Sequence, residues 1–170
     1  MVLAEISLCE QAMRDSEEQL ARWHADDDIV HKLDEVSGIG LLTASALKTA
    51  VGKPERFASG RHLSAWLGMT PNEYSSGARR RLGCISCKGN TYVRTLLIHG
   101  ARAALLAAKR CQTRTPERLT QLQRWALQTA ERIGHNKAAV ALANKLVRIC
   151  WAVWCHERRF SGDWQSARPA

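Results

Sequence analysis

Ser75, Ser76 and Gly77 stand just before Arg79, Arg80 and Arg81, with Lys88 a few residues on. A hydroxyl beside guanidinium groups suits phosphoryl transfer. Arginine pairs with phosphate oxygens in a fixed fork and stabilises the charge that develops as an oxygen attacks phosphorus. The same residues also make an ordinary polar loop, so both readings stand on residue chemistry alone. A second feature lies upstream, where Gly38 and Gly40 flank Ile39 and Thr43-Ala44 follow. Glycine permits a tight turn and lets an anion reach the N–H groups that open the next helix. After an apolar helix this is the pattern of a helix-hairpin-helix gripping a nucleic-acid backbone through Gly38, Gly40 and Thr43. The alternative is a turn that only joins two packed helices.

Metal chemistry is poorly supported. Cys84 and Cys87 make one CxxC, but His99 and Cys111 do not complete the four-ligand spacing of a structural zinc site. Asp26-Asp27-Asp28 are consecutive and would point in different directions on a helix, so they do not converge on one ion. They suit the start of a helix instead, near its positive end. The six cysteines belong to a chain that does not resemble a small secreted scaffold, and reduced thiols are expected.

The elements that must position these groups read as mainly α. Ile6, Cys9, Met13, Ser16, Leu20 and Trp23 alternate in steps of three and four, predicting an amphipathic or coiled-coil helix over 1–28. Ile29, Val30, Leu33 and Val36 form the stripe of a helix ending at Ser37-Gly38, and a second runs from about Leu41 to Val51. A short third helix precedes Gly68, residues 70–73 read as loop, and 74–89 as a small hairpin or ordered loop. A long helix starts at Asn90, with a break at 111–115 and a following helix from Glu117 to about Ile133. A last helix spans Asn136 to about His156, and 158–170 read as a flexible tail. The domains are therefore 1–28, a helical bundle over 29–157, and the tail.

The net charge of +9 is uneven: acidic residues lead up to Glu35, and nearly every charge from Arg79 to Arg118 is positive. Such a one-sided stretch suits a polyanion, DNA above all. No apolar run near the roughly 18 residues of a membrane span and no export leader are visible, so a cytoplasmic, nucleoid-associated protein is expected.

Taken in order, VSGIGLLTASALKTAVG, RFASGRHLSAWLGMTPNEYSSGARRRLG, ISCKGNTYVRTLLIHGARAAL and GHNKAAVALANKLVRICWAVW resemble the C-terminal domain of the insertion-sequence 110/116/902 transposase family over roughly 29–156. The resemblance implies DNA transposition and recombination, directed in characterised members by an element-encoded bridge RNA. It maps the family's serine-glycine motif onto Ser76-Gly77, making Ser76 the nucleophile and Ser75 the fallback. Arg79, Arg80, Arg81, Lys88, Asn90 and Arg94 become nucleic-acid contacts. Members also carry an N-terminal resolvase-like domain with a metal-binding acidic tetrad, which this sequence lacks. Magnesium is therefore expected only with that domain, and no metal is expected on this chain alone. The implied picture is a truncated copy, inactive by itself, that forms a homo-oligomer or joins full-length transposase through 1–28. The alternative is a non-catalytic module that binds element ends or regulates the full-length protein.

Overall fold

The computed structural model describes residues 2–79 and 81–163. Among them are seven α-helices and one two-stranded antiparallel sheet, a mainly α architecture. The helices are α1 (Val2–Trp23), α2 (Asp28–Asp34), α3 (Leu41–Val51), α4 (Gly60–Trp66), α5 (Thr91–Arg114), α6 (Gln121–Ile133) and α7 (His135–His156); the strands are β1 (Pro71–Glu73) and β2 (Leu82–Ile85).

The core is built around α7, which packs on α2, α4, α5 and α6. Leu142, Leu146, Val147 and Cys150 of α7 are buried with Leu97, Ala101 and Leu105 of α5, Val30 and Leu33 of α2, and Leu63 of α4. Small residues set the spacing: a Cβ on Gly60 would lie 2.9 Å from the Cα of Arg148, so α4 starts flush against α7. By length and composition α7 is apolar enough to cross a membrane, with an 18-residue window of mean hydropathy 1.4, half of it buried in the fold. This corrects the expectation of no apolar stretch of spanning length. Contact with four other helices gives that apolarity a use inside the protein. Burial also pushes the Cys150 thiol up to about 12.

Helix α1 has no buried residue, and Ile6, Met13 and Trp23 of its predicted seam are exposed. It ends at a polar joint. His24 contacts Asp27 at 3.2 Å and the Ser45 hydroxyl on α3 at 2.8 Å, Asp27 accepts the N–H of Val30 to cap α2, and Lys48 of α3 pairs with Asp27. His24 and Asp27 thus tie the end of α1 to α2 and α3. Burial alone would raise the Asp27 carboxyl, but the Lys48 ammonium, the Val30 N–H and His24 outweigh it and hold the group below its ordinary 3.8. A carboxyl depressed in the fold stabilises fully above its unfolded-state value, and that stabilisation is lost as pH falls through the folded value. Asp27→Asn keeps a cap acceptor but loses the charge. It is expected to cost about 1 kcal/mol near neutral pH and to flatten the acid side of the stability curve, measured by urea unfolding at about pH 7 and about pH 3.

Helix α5 continues through Cys111–Arg114, where a break was expected. Nothing there opposes helix until Pro116, which disfavours helical backbone at Thr115. Pro116 opens a 3₁₀ turn instead of the next helix. That helix, α6, begins at Gln121 and not Glu117, capped by Thr120 and Gln123, each side chain bonding the other's backbone N–H. The predicted tail is docked as far as Asp163: Gly162 accepts the N–H of Leu122 at 3.1 Å, and Asp163 accepts that of Gln121 at 3.1 Å. The rest of that tail, 164–170, lies outside the described residues.

Candidate active site

The predicted hairpin forms, with its first strand earlier than expected. Pro71 to Glu73, read as loop, pairs as β1 with β2, Pro71 opposite Ile85 and Glu73 opposite Leu82, with an irregularity between. Beyond the strands, Tyr74 donates its N–H to Arg81, and Ser76 and Arg79 exchange two backbone hydrogen bonds of 3.2 Å. Gly77 follows Ser76 in the turn at φ +54, a conformation that favours glycine and matches the twist of a tight hairpin. Ser76 therefore sits at an exposed tip because of the glycine that follows it.

The two serines differ in what their hydroxyls already do. Ser75 donates to a Glu73 carboxylate oxygen at 2.7 Å and accepts the Arg81 N–H at 3.1 Å, so its hydroxyl staples the hairpin. Among the described residues no hydrogen bond occupies the Ser76 hydroxyl, so none joins it to a histidine or carboxylate. Arg79 and Arg81 are exposed on the second arm, Arg79 directly opposite Ser76 and Arg81 opposite Tyr74, while Arg80 lies outside the described residues.

The hairpin's base is fixed to the body by backbone contacts. Ser86 and Cys87 donate to Thr70 and Gly68, at 2.8 and 3.1 Å. A Cβ on Gly68 would collide with the Lys88 carbonyl, and one on Gly89 with the Trp66 carbonyl, so this crossing requires glycine on both sides. Asn144 of α7 donates to the Met69 carbonyl at 3.0 Å.

Arg94, expected on phosphate, is only 7% exposed. Its guanidinium donates to the Leu67 carbonyl and the Thr91 hydroxyl, both at 3.2 Å, tying α5 to the end of α4. Its place is behind the hairpin, as a positioning residue. Asn90 caps α5 by accepting the Val93 N–H at 3.0 Å, and Lys88 is exposed beside it.

The glycine turn is elsewhere. Gly38, at φ +92, lies against Gly100 and Ala104 of α5, where a Cβ on it would sit 2.9 Å from the Gly100 carbonyl oxygen. At 1.5 Å per residue, Gly100 is roughly 15 Å along α5 from the Asn90 cap, so the turn and the hairpin do not make one site. Gly38 serves helix packing and Thr43 is buried, 7% exposed; of the three residues expected to grip phosphate, Gly40 alone is open, before an uncapped α3.

Two of the acidic residues near α2 are engaged in ion pairs. Asp27 faces Lys48 and His24, and Asp28 pairs with Lys32 at 2.5 Å. Among the described residues no group of three or more His, Cys, Asp or Glu could hold a metal ion. The described residues therefore assemble no magnesium site of this chain's own. Cys84 and Cys87 are exposed free thiols on the hairpin.

Residues 30–117, core helices and hairpin together, match the model of the family described as Transposase IS116/IS110/IS902. The chain is 40% identical over 153 residues to a Pseudomonas aeruginosa protein named "Probable family 20 transposase", matching 90% of this chain and 43% of that one. It is 36% identical over 151 residues to the transposase for insertion sequence element IS1111A of Coxiella burnetii (89% and 40%). It is 35% identical over 154 residues to the transposase for insertion sequence element IS1328 of Yersinia enterocolitica (91% and 44%). The chain thus spans about two fifths of these relatives' length. With the family model covering the serine hairpin, its glycine-locked base and the first half of the helical core, this chain belongs to the IS116/IS110/IS902 transposase family.

Proposed function

We propose that this chain is the serine-bearing, DNA-engaging part of a transposase acting in DNA transposition and recombination, with Ser76 as nucleophile. The observation that carries the reading is the contrast at the hairpin tip: Ser75 is tied into the turn, while Ser76 is exposed across from Arg79, with Arg81 further along that arm. In the proposed step the Ser76 oxygen attacks a phosphodiester phosphorus. An O–P bond to serine forms, the bond to one strand oxygen breaks, and that oxygen leaves as a hydroxyl with a proton. The arginines neutralise the charge gathering on the phosphate.

A serine hydroxyl needs its proton removed, and among the described residues no base is hydrogen-bonded to that of Ser76. The acidic, metal-binding half of the site is proposed to lie in the part of the family's length that this chain does not span. The direct test is a covalent protein–DNA adduct on a denaturing gel, formed by a full-length family member carrying this stretch.

Binding is tested apart from chemistry. The Arg79→Ala, Arg81→Ala double variant is expected to bind duplex DNA about tenfold more weakly near 0.1 M salt and to reduce the salt slope by about two, since each lost phosphate contact releases fewer counterions. Superimposable salt titrations for the parent and the double variant would remove the hairpin from the interface.

A second reading is favoured by α1, a 22-residue helix with none of its residues buried. Its exposed seam suits pairing with another family member, which would make the chain a regulator of full-length transposase.

A further inference from the structure

The cavity of about 490 Å³ between α6, α7 and residues 158–162 is remote from the hairpin in sequence, and the proposed chemistry does not use it. Its size falls inside the range of roughly 300–1,000 Å³ that small ligands occupy. Its walls combine two chemistries. Trp125 and Phe160 are aromatic, and Lys145, His156, Arg158 and Arg159 carry or can carry positive charge. No carboxylate lines it among the described residues.

The cavity is built by the chain's return. At the end of α7, Glu157 takes the left-handed conformation at φ 49 and turns the backbone. The Gly162 carbonyl and Asp163 carboxylate then occupy the N–H groups of Leu122 and Gln121 at the start of α6. That anchor holds Phe160 and the Arg158–Arg159 pair beside Trp125. Glycine is needed at 162, because a Cβ there would sit 2.8 Å from the Thr120 methyl.

Lys145 is the informative side chain. Its ammonium sits 4.3 Å from the centre of the Trp125 ring, a cation–π arrangement, and among the described residues no acid pairs with it. Burial, and then the neighbouring Arg148, draw it below its ordinary value, the mark of a cation short of a counter-charge. A ligand that fits must bring an anion to the cationic rim and a flat, apolar face to the aromatic wall. An unpaired nucleotide supplies both, whereas a paired base has its faces covered by stacking.

We infer that this cavity takes one unpaired nucleotide of a nucleic-acid strand, the base against Trp125 and Phe160 and the phosphate on Lys145, Arg158 and Arg159. The site is a single-strand holder separate from the serine hairpin. It rests on the proposal that the chain engages nucleic acid, and it adds a preference for unpaired strand that the hairpin does not provide.

The test uses the whole chain and short single strands carrying one 2-aminopurine, as DNA and as RNA of the same sequence. Stacking on an aromatic ring quenches this base, so titration with the parent chain is expected to quench either or both strands. Lys145→Gln, and separately the Arg158→Ala, Arg159→Ala pair, are expected to weaken single-strand binding about tenfold, while Trp125→Ala reduces the depth of quenching at saturation. Unchanged melting of Lys145→Gln shows that the loss is not one of folding. The Arg79→Ala, Arg81→Ala variant should quench like the parent while losing duplex affinity, which separates failure of this inference from failure of the hairpin reading. No quenching by the parent, or parent-like titration by both charge variants, overturns it. So does an emission difference between the parent and Trp125→Ala that follows protein concentration and ignores oligonucleotide, because the occupant is then a side chain of a second copy.

Discussion

Alanine at Ser76, placed in a full-length family member, is expected to reduce the covalent protein–DNA adduct to background, since the removed oxygen is the one that bonds phosphorus and loss of a serine nucleophile costs about 10⁶-fold in rate. Duplex affinity should hardly change, since the proposed phosphate contacts come from the arginines of the opposite arm. Ser75→Ala separates the two hydroxyls. Losing its bonds to Glu73 and the Arg81 N–H loosens the turn by about 1 kcal/mol per bond, so the adduct should be diminished but still form. An adduct that survives Ser76→Ala and vanishes with Ser75→Ala would exchange the roles, making the stapled serine the reactive one. Measuring adduct and binding on the same preparations keeps loss of chemistry distinct from loss of contact.

The second large effect is on stability and runs against the usual sign. Glycine to alanine inside a helix ordinarily stabilises by about 1 kcal/mol, because alanine surrenders less backbone freedom. At Gly100 the added methyl would collide with the Gly38 carbonyl, a backbone atom in a turn whose own glycine is held at φ +92. Neither side can yield as a flexible side chain would. Gly100→Ala is expected to cost about 3 kcal/mol, near the upper end for overpacking, and to lower Tm by roughly 10 °C. A melting temperature equal to or above that of the parent would mean that the turn and α5 can slide apart.

This pair of glycines also shows what the sequence could not decide. GIG before an apolar helix suits both a phosphate grip and a close crossing, since both need a residue without Cβ. The choice depends on Gly100, far along the chain. Arg94 is a similar case: a cation after a glycine-asparagine pair looks available, and only the Leu67 carbonyl 27 residues earlier makes it internal. Local signals fared better. The start of α2 at Asp26–Asp28, the stripe of α3, the hairpin near 74–89 and the helix from Asn90 all follow from rules acting within a few residues. One local signal went unread, because Thr120 and Gln123 at cap spacing mark the start of α6 more surely than Pro116 does. The docking of 158–163 left no periodicity to find, as it rests on two backbone N–H groups of another helix.

The placing of Cys150 has a practical consequence for chemical labelling. Sealed within α7 and held as a thiol by its surroundings, it can meet a maleimide only when the core opens. Cys84 and Cys87 stand exposed on the same hairpin, Cys84 in β2 and Cys87 at its base. The molecule thus offers reagent-accessible positions beside its candidate active site, together with an internal thiol whose silence certifies that the body is still folded.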